Sequence, residues 1–116
     1  MIWKLSEKKE RILSSEMNTT ETLIKTLISG QDELAETAAI ELAARGSEVL
    51  HALDDLLLSD DADTRWWGTR TLALIVDPRA SVLLLKMLHD PDLAVRQCAA
   101  LALKEQPTPE AIPALI

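Results

Sequence analysis

Apolar residues recur along the chain at the spacing of one helix face. Val95, Ala99 and Leu103 lie four residues apart. Leu34, Ala38 and Leu42 show the same spacing. Residues at i, i+4 and i+8 form one stripe on an α-helix, because each turn takes 3.6 residues. The pattern therefore predicts short amphipathic helices that each bury one stripe.

The helical stripes repeat with a fixed period. Residues 59–85 align with 90–116 at a shift of 31 residues, which places Arg65 over Arg96. The preceding unit aligns at a shift of 30 over its first helix and 31 over its second. The extra residue thus falls in the turn between helices, where insertions are tolerated. A repeat of this length, two helices long, is typical of stacked helical hairpins.

The sequence therefore predicts an all-α fold, an α-α superhelix (solenoid) of helical hairpins. Residues 1–19 break the repeat pattern with polar positions, and we expect them to form an amino-terminal capping helix. Repeats are expected over 20–116. The predicted parts are 20–29 (the second helix of a first unit), units 30–58 and 59–88, and a truncated unit 89–116.

Small and turn-forming residues mark the predicted helix contacts and ends. Ala38, Gly68 and Ala99 stand at the centres of the buried stripes, where they would let paired helices approach closely. Gly46 is expected to end a helix in a left-handed turn. The helix starts are predicted at Asn18, Ser47 and Asp90–Pro91, with Asp77–Pro78 giving proline its tolerated place at a first turn.

The last unit carries a family resemblance. Residues 90–103 read Asp-Pro-Asp-x-x-Val-Arg-x-x-Ala-Ala-x-x-Leu, and 109–116 read Pro-x-Ala-Ile-Pro-Ala-Leu-Ile. This pattern resembles HEAT-like repeats, closest to the short bacterial type also found in phycobilisome lyase subunits. The resemblance covers about residues 20–116. It implies the superhelical fold and, for function, docking surfaces for other proteins.

The predicted last helix stops at Ile116, before the point that its equivalent reaches at Leu88. We expect that this leaves an apolar end, either because the chain is a fragment of a longer array or because another chain covers the face. Self-association through this open carboxyl end is a further option.

Composition narrows the class of partner. The net charge is −7, which opposes binding to nucleic acid and to anionic membrane surfaces. Leu and Ala dominate the apolar 47%, and the three aromatic residues are all Trp. Cys98 is the single cysteine, so an internal disulfide is excluded and a reducing, cytoplasmic location is expected.

Candidates for chemistry are few. His51 and His89 are the only histidines, and neither precedes a Glu as in the iron-binding His-Glu pairs of HEAT-like deoxyhypusine hydroxylases. Asp60, Asp61 and Asp63 lack the spacing of a calcium loop and are expected to stabilise a helix start. We therefore predict no catalytic residue, no metal site, no cofactor and no enzymatic activity.

Two surfaces could bind a protein. On the second helices, Glu48, Arg79 and Glu110 form one row of alternating charge and Lys25, Asp55 and Lys86 another, which we expect to neutralise each other between repeats. On the first helices, the helical angles place Ile40, Trp66 and Leu101 on an outward apolar strip with Arg70 one turn from Trp66. Trp67 and Cys98 are expected to pack between units. Ile40, Trp66, Arg70 and Leu101 are the predicted partner-binding residues, since exposed Trp and Arg are typical of binding hot spots.

Three functions follow, in order of support. The first is a non-catalytic protein–protein interaction scaffold whose partner is another protein. The second is a subunit or chaperone-like part of a bilin lyase-type enzyme, by the resemblance above. The third is a HEAT-like alkylpurine DNA glycosylase, suggested by Trp66, Trp67 and Asp63 and opposed by the acidic balance.

Overall fold

A computed structural model describes residues 19–105, which fold into α-helices and one 3₁₀ turn with no strand among them. The helices are α1 (Thr20–Leu27), α2 (Asp32–Ala44), α3 (Leu50–Leu56), α4 (Ala62–Leu72), α5 (Pro78–Met87) and α6 (Leu93–Glu105). The 3₁₀ turn Gly46–Val49 leads into α3. The predicted all-α repeat fold is confirmed.

Several predictions fall outside the described residues. They are the capping helix at 1–19, of which only Thr19 is described, the helix start at Asn18, the carboxyl end 106–116 and the charged-row position Glu110. The open apolar end and self-association through it therefore stay predictions.

The first helices begin with the same hydrogen bond in three successive units. In each case the donor is the backbone N–H of the residue that immediately precedes the helix. The acceptor is a side-chain oxygen two residues earlier. The bonds run from Gln31 N to Ser29 Oγ (3.3 Å), from Asp61 N to Ser59 Oγ (3.1 Å) and from Asp92 N to Asp90 Oδ2 (2.9 Å). Their spacing of 30 and then 31 residues matches the repeat found in the sequence.

The helix starts differ from prediction by one to three residues. Thr19 caps α1 by accepting from the Thr22 N–H at 3.1 Å, in place of the predicted Asn18. Ser47 caps nothing, because it lies inside the 3₁₀ turn, and α3 begins at Leu50. At α6 the Val95 N–H bonds to Asp92 and not to Asp90. Each loop offers several acceptors, and the loop path selects which one faces the helix end.

The core is one cluster of buried apolar side chains, with leucine from each of α1 to α5 and Val95, Ala99 and Ala102 from α6. Leu27, Leu42, Leu53, Leu72 and Leu84 are almost fully buried, and each contributes about 1.5–3 kcal/mol relative to an exposed side chain. The first helices α2, α4 and α6 pack side by side, and α4 also packs on its own second helix, α5. This row of first helices carries the candidate site.

One predicted stripe is misplaced by a residue. Leu34 is 51% exposed, and Ala35 is buried in its place. The buried residues of α2 are Ala35, Ala38, Ala39 and Leu42, which follow i, i+3, i+4 and i+7. A 3.6-residue turn favours this set over a strict spacing of four.

The small residue at the centre of α4 permits close helix packing, as predicted. A Cβ at Gly68 would lie 3.1 Å from Leu57 Cδ2 and 3.2 Å from Leu56 Cβ. Gly46 has φ of +61°, which confirms the predicted left-handed turn after α2.

Candidate docking surface on the first helices

Two adjacent tryptophans of α4 form the centre of the site. Trp67 is 5% exposed, so it is buried as expected. Trp66 packs against the core but stays half-buried, so the sequence overestimated its outward exposure. The two rings meet edge to face, with centroids 4.9 Å apart and an angle of 88° between the planes. This contact fixes the orientation of Trp66 at the surface.

The first groove, here the acidic groove, opens where the amino-terminal ends of α2, α4 and α6 converge. Its volume is about 750 Å³. Trp66 and Trp67 supply its aromatic surface, and carboxylates from all three helices surround them. The lining residues are Asp32, Glu33, Glu36, Ala62, Asp63, Trp66, Trp67, Asp92 and Ala94.

Three carboxylates of the acidic groove have no partner within residues 19–105. Asp32, Glu33 and Asp63 make no ion pair and accept no hydrogen bond at their side chains there. Glu36 is neutralised by Arg70, with Oε1 2.6 Å from Nη2. Each helix amino terminus adds about half a positive charge, which leaves the groove negative.

The second groove, here the α4–α6 groove, runs from Trp66 toward the carboxyl end of α6 and has a volume of about 520 Å³. Trp66 and Ala94 line both grooves, so the two meet on the indole of Trp66. The lining residues are Trp66, Arg70, Ala73, Ala94, Gln97, Cys98, Leu101, Ala102 and Glu105.

Cys98, in the wall of the α4–α6 groove, is held in its thiol form. Burial raises the pKa of this thiol, and the positive charge of Arg70 opposes that rise only in part. A neutral thiol is a poor nucleophile. Its environment therefore fits the packing position predicted from the sequence.

The structure brings three of the four predicted binding residues together. Trp66, Arg70 and Leu101 line the α4–α6 groove, and Leu101 is 56% exposed. Ile40 is also 56% exposed but lines neither groove. Arg70 extends to Glu36 of the preceding unit, so its guanidinium is already engaged.

Sequence reasoning missed the acidic groove. Its carboxylates are Asp32, Glu33, Glu36, Asp63 and Asp92, of which all but Glu36 stand at or just before the first turn of a first helix. The repeat alignment itself held the signal, since equivalent helix starts in neighbouring units lie side by side in a stack.

The expected neutralisation between second helices is largely wrong. Among the described residues, one ion pair joins α3 to α5, from Lys86 Nζ to Asp54 Oδ1 at 3.9 Å, and it uses Asp54 where Asp55 was predicted. Other charges find nearer partners. Arg79 pairs with Asp77 at 3.0 Å and Lys25 with Glu21 at 3.7 Å. Asp55 lies 3.9 Å from Nε2 of His51, a contact that is an ion pair only when the histidine is protonated.

Of the three clustered acids Asp60, Asp61 and Asp63, Asp61 caps the start of α4, which confirms the expectation for that residue alone. Asp61 accepts hydrogen bonds from the Thr64 hydroxyl at 2.8 Å and the Thr64 N–H at 2.9 Å. These bonds lower the pKa of Asp61. Within residues 19–105, no group of three His, Cys, Asp or Glu side chains is placed to hold a metal ion. None of the helices described is long and apolar enough to cross a membrane.

Comparison with known proteins gives one match. The family model described as HEAT repeats matches residues 56–116, just over half of the chain. No curated protein and no solved structure matches it.

Proposed function

Because the chain belongs to the HEAT repeat family, we propose that it is a non-catalytic docking module that binds another protein through the first-helix surface around Trp66. HEAT repeats commonly mediate protein–protein interaction and the family is generally non-enzymatic. Stacked repeats provide extended surfaces that suit long, irregular partners.

The observation that carries the proposal is the meeting of two open grooves on one half-buried indole. Tryptophan and arginine dominate the binding energy at protein interfaces, especially where the surrounding contacts exclude water. Here Trp66 is held by Trp67 and Arg70 by Glu36. Both anchors are thus ordered before a partner arrives, which lowers the entropy cost of binding.

The charge of the acidic groove argues against nucleic acid as the partner. Trp66, Trp67 and Asp63, which suggested a DNA glycosylase, do lie together in the acidic groove. The carboxylates around them repel a phosphate backbone, which usually supplies much of the affinity for DNA. Measurable binding to duplex DNA at low salt would support that alternative. Absence of binding there would rule out the glycosylase alternative.

The bilin lyase alternative rests on the family resemblance of the last repeat, and the cytoplasmic location rests on the cysteine content. A lyase subunit would bind a bilin, and an absorbance shift on adding the pigment would support it. The cytoplasmic location is proposed from Cys98, which is the single cysteine and therefore forms no internal disulfide.

The test is a selection of random peptides displayed on phage against the folded chain. Binding of the selected peptides is then compared among Trp66→Leu, Leu101→Lys and a control variant, Val82→Lys. Leucine at Trp66 keeps apolar packing against the core, which a polar replacement would lose. Val82 lies on α5 outside both grooves and is 64% exposed.

We expect the Trp66 and Leu101 variants to weaken binding about tenfold or more, the loss of a typical hot spot. The Val82 variant should bind like the wild type. Peptides that bind all three variants equally, or that are lost only with Val82→Lys, would contradict docking at this surface. Circular dichroism of each variant checks that the helices are retained.

A further inference from the structure

We propose that the acidic groove binds a positively charged segment of the partner protein, with an arginine or lysine side chain seated against Trp66. This inference rests on the proposed docking function and specifies the chemistry of the partner. The occupant is inferred from the charge, the aromatic surface and the size of the groove.

The first step is charge complementarity. The side chains of Asp32, Glu33 and Asp63 have no partner within the described part of the chain, although they come from two neighbouring repeats and surround one cavity. None of these three side chains makes the capping hydrogen bond of its helix. At α4 the capping bond is made by Asp61, which leaves Asp63 available at the surface. A cation bound between these groups would meet uncompensated negative charge.

The second step is the aromatic surface. Trp66 and Trp67 line the same cavity as these carboxylates, and tryptophan is the side chain that attracts a cation most strongly to its ring face. A guanidinium combines both interactions, because it stacks on aromatic rings and bonds carboxylates in the same plane. Arginine is therefore the side chain that the groove fits best.

The third step is an example inside the chain itself. The guanidinium of Arg70 already bonds Glu36 at the border of the acidic groove, from Nη2 to Oε1 at 2.6 Å and from Nε to Oε2 at 3.4 Å. Arg70 shares the lining of the α4–α6 groove with Trp66. An arginine from a partner would make the equivalent contacts with the unpaired carboxylates of the acidic groove.

The volume of the acidic groove fits a peptide, and its charge favours a cationic peptide over an anionic one. A cavity of about 750 Å³ is large enough for several side chains. The helix amino termini around it would by themselves attract an anion such as a phosphopeptide. Their partial charges, about half a unit each, are outweighed by the carboxylates, so we expect a cationic occupant.

The experiment is a titration of the ¹⁵N-labelled chain with three short peptides of identical length. One alternates arginine with alanine, one has citrulline at every arginine, and one has glutamate there. Citrulline keeps the shape of arginine and removes its charge. The indole N–H signals of Trp66 and Trp67 report occupancy of the acidic groove.

Two double variants separate the groove from the general negative charge of the chain. Glu33→Gln/Asp63→Asn removes two charges at the groove. Glu48→Gln/Asp55→Asn removes the same number on the second-helix side, where both residues are exposed.

We expect the arginine peptide to shift the Trp66 and Trp67 signals and to bind at least about tenfold more tightly than the citrulline peptide. The groove variant should lose about tenfold in affinity, and the second-helix variant less than about twofold. Added salt should weaken binding.

Three outcomes would overturn the inference. They are equal binding of the citrulline peptide, tighter binding of the glutamate peptide, and equal losses in the two double variants. Such a result would leave the docking function intact if phage-selected peptides still depended on Trp66 without containing basic residues. Selected peptides that ignore Trp66 would instead refute the docking function itself.

Discussion

The guanidinium of Arg65 donates to both carboxylate oxygens of Asp90, from Nε to Oδ1 at 2.9 Å and from Nη2 to Oδ2 at 3.3 Å. Its Nη1 donates to the carbonyl of Ser59 at 2.9 Å. Arg96, one repeat later, donates from Nη1 to the carbonyl of Asp90 at 2.7 Å. One arginine thus joins the loops that begin two successive units, and the equivalent arginine repeats part of that contact.

Loss of this ion pair should be among the most damaging single changes. The side chains are only 13% and 4% exposed, so Arg65→Met would leave the Asp90 carboxylate buried without a counter-charge. We expect a loss of about 3–5 kcal/mol in the free energy of unfolding, measured by urea denaturation. The double variant Arg65→Met/Asp90→Asn should lose less than the two single variants combined. Purely additive losses would show that the two groups do not act as a pair.

The close contact at Gly68 predicts that α4 tolerates no branched side chain there. Gly68→Val would place atoms against Leu57 and the Cβ of Leu56, at distances where a neighbour must move. We expect a loss of about 1–3 kcal/mol from overpacking. Ala100→Val at an exposed position of α6 is the control and should cost under about 1 kcal/mol, the price of β-branching. Equal melting temperatures for the two variants would argue against the tight α3–α4 contact.

The start of α4 should titrate at acid pH. Bonds from the hydroxyl and N–H of Thr64 lower the pKa of Asp61 from its ordinary value of 3.8. A carboxyl whose folded pKa is depressed stabilises the fold above its unfolded pKa, and this contribution is lost as pH falls through the folded value. Asp61→Asn keeps an acceptor oxygen without the titration. Wild-type stability should therefore fall more steeply below about pH 4 than that of Asp61→Asn.

The control for this acid titration is Asp60→Asn, which removes a neighbouring carboxylate that does not cap the helix. A change of slope in Asp61→Asn that Asp60→Asn does not share would assign the effect to the capping carboxylate. A slope for Asp61→Asn as steep as that of the wild type would contradict the capping role.

The half-buried thiol of Cys98 predicts the opposite behaviour at alkaline pH. Burial raises the pKa of Cys98 above its ordinary value of 9.0, so the folded state holds its proton more tightly than the unfolded chain does. Stability from this group is complete below the unfolded pKa and is lost as pH rises toward the folded one. Between about pH 8 and 10, wild-type stability should decline more than that of Cys98→Ala. A thiol that reacts with a disulfide reagent as fast in the folded chain as in urea would refute this burial.

Features carried by the repeat pattern were predictable from the sequence, and the pairing of charged side chains between neighbouring units was not. The stripes and the repeat shift predicted the all-α repeat fold, the turn at Gly46 and the burial of Trp67. The acidic groove depends on how neighbouring units are placed. The angular positions of residues around a single helix give no information about that placement. For the same reason Arg70 was predicted to face outward, whereas Glu36 of the preceding unit engages it.

Local competition explains the errors in the charged rows. Arg79 was assigned a partner across the repeat, but the Asp77 carboxylate at the start of its own helix lies 3.0 Å away. A nearby acceptor in the same loop costs less side-chain entropy than a distant one. Sequence equivalence shows which charges can meet, while the loop geometry decides which of them do.

Contact between a bound peptide and Trp66 tests the docking function most directly. The measurement is the set of intermolecular nuclear Overhauser effects between a phage-selected peptide and the labelled chain. We predict effects from the peptide to the Trp66 indole and to neighbouring groove residues such as Leu101 and Ala94. Effects confined to Val82 and Leu85, which are exposed on α5, would place the partner on the second helices and contradict docking on the first-helix surface.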